Sequence, residues 1–501
     1  MVRFIQRIPA RKLLLAWAVI CSPLTNAEDR DWGDLVRKDT QASYHWIKEN
    51  HPGSIDDDNP EFRKILEKGY RTATEKSKLV KDLEGYRAVL SEFFAGFHDG
   101  HLGFRINSDI PEAKVYWPGI VLGYRNGRAV VVYRENSKEF GVTPPMGSEL
   151  LSCDGKSLSQ LIEENVQPYD STASTVAEAV LTRLTPMVLL DQDNPFVDRI
   201  QQCLFSLKGQ EQIWDIKWVA TPQKVIEPKM DLARNIYSPS MSIHPMDENA
   251  FWISVPTFSA QNDESLAALN KLIADLNAST EEMRKAQIIV VDVRGNHGGN
   301  SSWGNAIIRA LWGDEMFDTY RPKSEGIKWR VSIDTYRYLS EDLLPMIKNQ
   351  FGESSPEYVE FKNEIDGFKE ALDRGDLWFN PYERGVRPET EKPENPVKAN
   401  VYFLTDPACF SSCLLFADRM RLLPNVVQIG LATRADTKYG EVRSESLPSG
   451  LATMMGPQKI FLGRLRTDNE PYVPKFRWSG EMSDQVGLER WVLDLDRQSN
   501  L

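Results

Sequence analysis

The chain reads as an α/β protein, and three observations carry that reading. From about residue 248 onward, short apolar runs alternate with amphipathic stretches, as in AFWISVP, then DESLAALNKLIADLNAS, then QIIVVDV. Strands alternating with helices argue for layered α/β architecture with parallel pairing. The run QIIVVDV is apolar on both alternating positions, the mark of a strand covered on both faces. Two of the apolar runs end in loops of unusual composition, DVRGNHGGNSSWG and DPACFSSCLLF, and ligands of α/β sheets gather at strand C-termini.

The chain opens with Arg3, Arg7, Arg11 and Lys12, then LLLAWAVICSPL, then TNA before Glu28. The apolar run falls short of the ~20 residues of a membrane helix, so residues 1–27 read as a secretory signal peptide. Cys21 invites a lipid anchor, but Ile20 before it is too bulky for that site. The expectation is an exported protein, periplasmic or secreted, with no membrane anchor. About 470 residues remain, 41% of the whole is hydrophobic, and the net charge is -12. That balance argues against nucleic acid as a partner, because phosphate contacts need clustered Lys and Arg.

Residues 28–108 read as an N-terminal helical region, with apolar side chains at three- and four-residue spacing in FRKILEKGYRTATEKS and LVKDLEGYRAVLSEFFAGF. It closes on HDGHLGF, where glycines break the helix. Residues 115–225 change to short strands with NG, PP and DG turn signals. Their string GSELLSCDG, followed by a helix, resembles a PDZ-like module, which binds a peptide as an added strand. Residues 248–475 form the strand–helix region, with a charged insertion at 314–396, and 476–501 a C-terminal tail. Four cysteines outlast the signal: Cys153, Cys203, Cys409 and Cys413. Export permits two bridges, while an i, i+4 pair such as Cys409 and Cys413 needs an unusual backbone if both lie on one helix. Free buried thiols remain the other reading.

The two loops carry the chemistry. Gly295, Gly298 and Gly299 allow a sharp turn that brings N–H groups close to a ligand, ahead of a helix whose dipole favours an oxyanion. No Gly-Lys-Ser/Thr follows, which excludes a P-loop. Ser411 and Ser412 stand where the second helix begins. A serine there caps the helix or, with the next N–H at hand, serves as a nucleophile. His98 and His101 are three apart, but Gly100 between them and the lack of HExxH argue against a metal; no cofactor is called for. HGGN at His297 has no G-x-S-x-G partner, against an esterase.

In order and spacing, DVRGNHGG, LTD…SS, VVQIG and LPSGL resemble the tail-specific (C-terminal-processing) serine protease family over residues 248–470. The resemblance implies a crotonase-like ββα catalytic core, often with an inserted PDZ domain, and a polypeptide substrate. It implies Ser411 as nucleophile, with the N–H groups of Ser412 and of Gly298 or Gly299 as the oxyanion hole. The sequence departs from the family at the base. Where the processing-protease branch has a lysine, 25 residues after the serine and six after Gly430, this chain has Asp436. Either Lys438, two residues on, takes that role, or a histidine does, as in the tricorn-like branch. His101 is then the base, with Glu441 to orient or balance it; Asp99 reads equally as a turn residue. An inactive peptide- or ligand-binding protein on the same scaffold is the competing reading. Substrate preference and oligomeric state are not legible.

Overall fold

The computed structural model describes residues 30–110, 114–246, 249–321, 325–381, 383–384 and 392–499. The signal peptide assigned to residues 1–27 lies outside them. Among the described residues no helix is long and apolar enough to cross a membrane.

Five parallel strands form the scaffold of the site. They run Ala250–Ser254, Ile288–Asp292, Asn400–Thr405, Val426–Gly430 and Phe476–Arg477 in spatial order, with Ser242–Met246 added antiparallel at one edge. Side-chain alternation explains their composition. Ile289, Val291, Val401 and Phe403 face the helices Asp263–Arg284, Ser301–Trp312 and Ser412–Met420. Ile288, Val290, Tyr402 and Leu404 face a second core closed by Leu488, Val492 and Leu495. With both faces dry, every position of such a strand must be apolar. The stretch read as a C-terminal tail thus supplies a sheet strand and the helix Gln485–Ser499, which covers one face.

The helices Trp32–Asn50, Glu61–Ser77 and Leu83–Ala95 pack by their apolar stripes around Phe62, Leu66, Tyr86 and Phe93. Their core continues into Tyr439, Met454 and Ile460 of a second, antiparallel sheet. The strand Gly103–Ile106 pairs with Ala452–Leu462 of that sheet, which fixes the turn carrying His101. Residues 120–215 hold a five-stranded antiparallel sheet, tied by a Cys153–Cys203 disulfide between neighbouring strands. Inside the insertion, the strand Glu325–Arg330 joins the second sheet, and the helix Pro356–Arg374 packs Ile365 and Phe368 on it.

Candidate active site

Register places the two loops side by side. Asp292 pairs with Leu404 across the sheet, so the glycine loop and the serine turn leave adjacent strands at the same edge. Asp406, fully buried, ties them. Its carboxylate accepts the Gly295 N–H at 3.0 Å from one loop and the Ala408 N–H at 2.9 Å from the other. Burial pushes its pKa up to about 7 against those donors. Asp292 and Arg294, both fully buried, form an ion pair that also receives the Trp252 Nε1–H at 3.0 Å. Arg294 in turn donates to Gln485 Oε1 at 2.6 Å. The DxR part of the motif is therefore the anchor of the loop rather than its reactive end.

Ser411 occupies φ 56° and ψ -122°, and its side chain makes no capping bond. A non-glycine residue in that region costs ~1–3 kcal/mol and persists only where its surroundings enforce it. Here they do. A Cys409–Cys413 disulfide spans the turn with Cα atoms 5.2 Å apart, and the Cys409 carbonyl accepts the Arg434 N–H at 3.1 Å. The unusual backbone that an i, i+4 bridge requires is this left-handed serine: Cys409 precedes the helix and Cys413 lies in its first turn.

The glycine loop presses on that turn. A Cβ at Gly298 (φ 94°) would lie 2.7 Å from the Phe410 carbonyl oxygen, 2.9 Å from the Ser412 nitrogen and 3.0 Å from the Ser411 Cβ. Any side chain there would displace the serine. The Gly298 N–H donates to Asn296 Oδ1 at 2.9 Å, and Ser412 Oγ donates to the Gly299 carbonyl at 2.5 Å. Among the described residues, no hydrogen bond engages the N–H groups of Ser412 and Gly299. Two free donors beside a serine are what a developing oxyanion requires.

His101 stacks on Phe410, the residue before the serine, with ring centroids 4.6 Å apart. Its Nδ1 is buried and, among the described residues, without a hydrogen-bond partner, 3.7 Å from Asp99 Oδ1. Asp99 also accepts the His101 N–H at 2.8 Å and the Thr437 hydroxyl at 2.9 Å, and lies 3.9 Å from His51 Nε2. Burial lowers the His101 pKa to about 4, with Asp436 opposing, and raises that of Asp99 to about 7. The imidazole is thus neutral at ordinary pH, the form that accepts a proton.

Lys438, the alternative base, and Glu441, named to orient or balance His101, are held by other partners. Lys438 Nζ is 2.7 Å from Asp56 Oδ2. Glu441 accepts from Lys459 Nζ and from the Tyr338 hydroxyl, both at 2.9 Å, so its contacts face the insertion. Asp436 is held by Arg464 and Arg466, at 2.8 Å each, and has become part of a structural ion network. His98 lines a separate cavity with Ile65 and Gly96. Among the described residues, no group of three His, Cys, Asp or Glu could hold a metal. Sequence reasoning gave no role to Asp406, Phe410 or Arg434. Asp406 stood inside the LTD motif, but the other two carried no local signal.

Residues 251–459 match the model of Peptidase family S41, whereas no curated protein sequence matches the chain. Among solved structures, mature CPAF complexed with lactacystin is 14% identical and aligns over 93% of this chain and 99% of its own, with a TM-score of 0.60. Mature CPAF alone is 12% identical over 94% and 99%, again at 0.60. At such identity the likeness is one of fold. Residues 251–459, which hold the glycine loop and the serine turn, thus carry the match to Peptidase family S41, and that match supports a serine-type peptidase.

Proposed function

We propose that the chain is an exported endopeptidase that hydrolyses peptide bonds through an acyl-enzyme on Ser411. The observation that carries this reading is the left-handed Ser411 pressed against the glycine loop, with the Ser412 and Gly299 N–H groups unengaged. In the mechanism, His101 takes the hydroxyl proton as Ser411 Oγ attacks the substrate carbonyl. The Ser412 and Gly299 N–H groups receive the oxyanion, while Gly298 supplies the close approach. The amine leaves with the proton from His101, and water, deprotonated by the same ring, releases the acyl group. Asp99 is the carboxylate nearest to His101 Nδ1 and pairs with the imidazolium as it forms. That role replaces the one given to Glu441.

Export is supported by the charged and apolar start of the sequence, and by two disulfides of a kind that persists in oxidising compartments. The antiparallel sheet of residues 120–215 is a platform on which an unfolded segment could pair in the PDZ manner. A fluorophosphonate probe tests the core of the proposal: the wild-type chain labels, and Ser411→Ala and His101→Ala do not. A folded wild-type chain that fails to label overturns it in favour of a binding protein on this scaffold, the reading that Asp436 in place of a lysine encourages.

A further inference from the structure

A groove separates the helix Ala177–Leu184 from the catalytic sheet, lined at one end by Gly100 and Pro407. It adjoins the site, because Gly100 precedes His101 and because Arg434, on the groove wall, lays its guanidinium 4.1 Å from the Phe410 ring centre. Four arginines line this groove, and they divide into two kinds. Arg125 is held by both oxygens of Glu481 at 3.0 and 3.1 Å, and Arg477 pairs with Glu178. Arg183 and Arg434 have no carboxylate within ion-pair distance among the described residues. Among the described residues, the Arg183 side chain makes only a long contact with Thr172 Oγ1 at 3.4 Å, and the Arg434 guanidinium makes no hydrogen bond.

Arg234 stands behind Arg183, donating to its carbonyl at 3.3 Å. Asp170 acts on both Arg183 and Arg434 from beyond contact, and Asp436, already held by Arg464 and Arg466, also acts on Arg434. Arg234 also has Asp231 at 3.9 Å, so Arg183 and Arg434 are the pair left without a contacting carboxylate, in a chain whose net charge is -12. Burial, reinforced by Arg183, holds the Arg434 pKa down to about 9, so an arriving anion relieves a charge that Asp170 and Asp436 offset only from a distance. A planar guanidinium fits a carboxylate through two parallel hydrogen bonds.

We propose that Arg183 and Arg434 form a carboxylate-binding subsite of the peptidase, which selects substrates bearing an acidic side chain or a free chain end close to the scissile bond. The inference rests on the peptidase reading above and adds the substrate chemistry.

The test begins with cleavage of a proteome-derived peptide mixture by the wild-type chain, read by mass spectrometry. The best-cleaved sequence is then made as a quenched peptide in three forms: native, with its acidic residue changed to the amide, and with its C-terminus amidated. Loss of the recognised carboxylate lowers kcat/KM by about tenfold in the wild type and by less than about threefold in Arg183→Gln, with partial recovery of the discrimination in Arg183→Lys. Sensitivity to the side-chain change identifies an acidic residue, and sensitivity to amidation identifies the chain end. Wild-type kcat/KM indifferent to both changes overturns the subsite, as does discrimination intact in Arg183→Gln. Fluorophosphonate labelling run in parallel reports the serine separately. If the wild type neither labels nor cleaves, binding to Ser411→Ala decides. A fluorescein-labelled glutamate-rich decapeptide must then bind about tenfold tighter than its glutamine counterpart. Arg183→Gln in that background must abolish the difference, and equal binding of the two peptides overturns the proposal.

Discussion

Asp406→Ala is the most informative single change away from the reacting atoms. The carboxylate is fully buried and serves two loops at once, through the Gly295 N–H at 3.0 Å and the Ala408 N–H at 2.9 Å. Its contact with the Tyr237 N–H, at 3.4 Å, is too long to count fully. Removing the acceptor strands two buried donors at about 1–3 kcal/mol each, so the substitution destabilises by about 2–6 kcal/mol. Asp406→Asn keeps one acceptor oxygen and costs about half as much. Urea unfolding followed by tryptophan fluorescence reads the loss. Because the same carboxylate sets the glycine loop against the serine turn, fluorophosphonate labelling of the still-folded variant must slow as well. A variant as stable as the wild type, labelling at the wild-type rate, would refute the view that Asp406 joins the loops.

Three further outcomes are expected. With the His101 pKa depressed to about 4, the base form is present above that value and is lost as pH falls through it. The acid limb of the labelling rate therefore lies near pH 4, and a limb at 6 to 7 would contradict the buried imidazole. The same sign applies to stability: the contribution of His101 is full above its unfolded value of about 6.5 and declines toward pH 4. Cys409→Ser with Cys413→Ser removes the tether across a backbone that costs ~1–3 kcal/mol to hold, and labelling should slow by about tenfold; an unchanged rate would show that the bridge is dispensable. Lys438→Met severs an ion pair with Asp56 and leaves labelling within about threefold of wild type, whereas a thousandfold loss would restore lysine as the base.

What the sequence disclosed, and what it withheld, follows from the range of the forces involved. The strands at 288–292 and 400–405 were legible because burial on both faces writes itself into consecutive apolar residues. Ser411 and the glycines could be singled out because a strand–turn–helix junction is a local pattern. The placement of His101 was not local. It depends on the strand Gly103–Ile106 pairing with Ala452–Leu462, some 350 residues away. The fates of Asp436, Lys438 and Glu441 were equally hidden, because Arg464, Arg466, Asp56 and Lys459 reach them through tertiary packing. The disulfide of Cys409 with Cys413 stayed open because spacing does not reveal a left-handed residue between them.

The account stands most directly on the structure of the phosphonylated chain. It predicts a phosphorus–oxygen bond at Ser411 Oγ, a phosphoryl oxygen within ~3 Å of the Ser412 and Gly299 nitrogens, and His101 Nε2 facing the adduct. An adduct on another residue, or a phosphoryl oxygen turned away from both N–H groups, would contradict it.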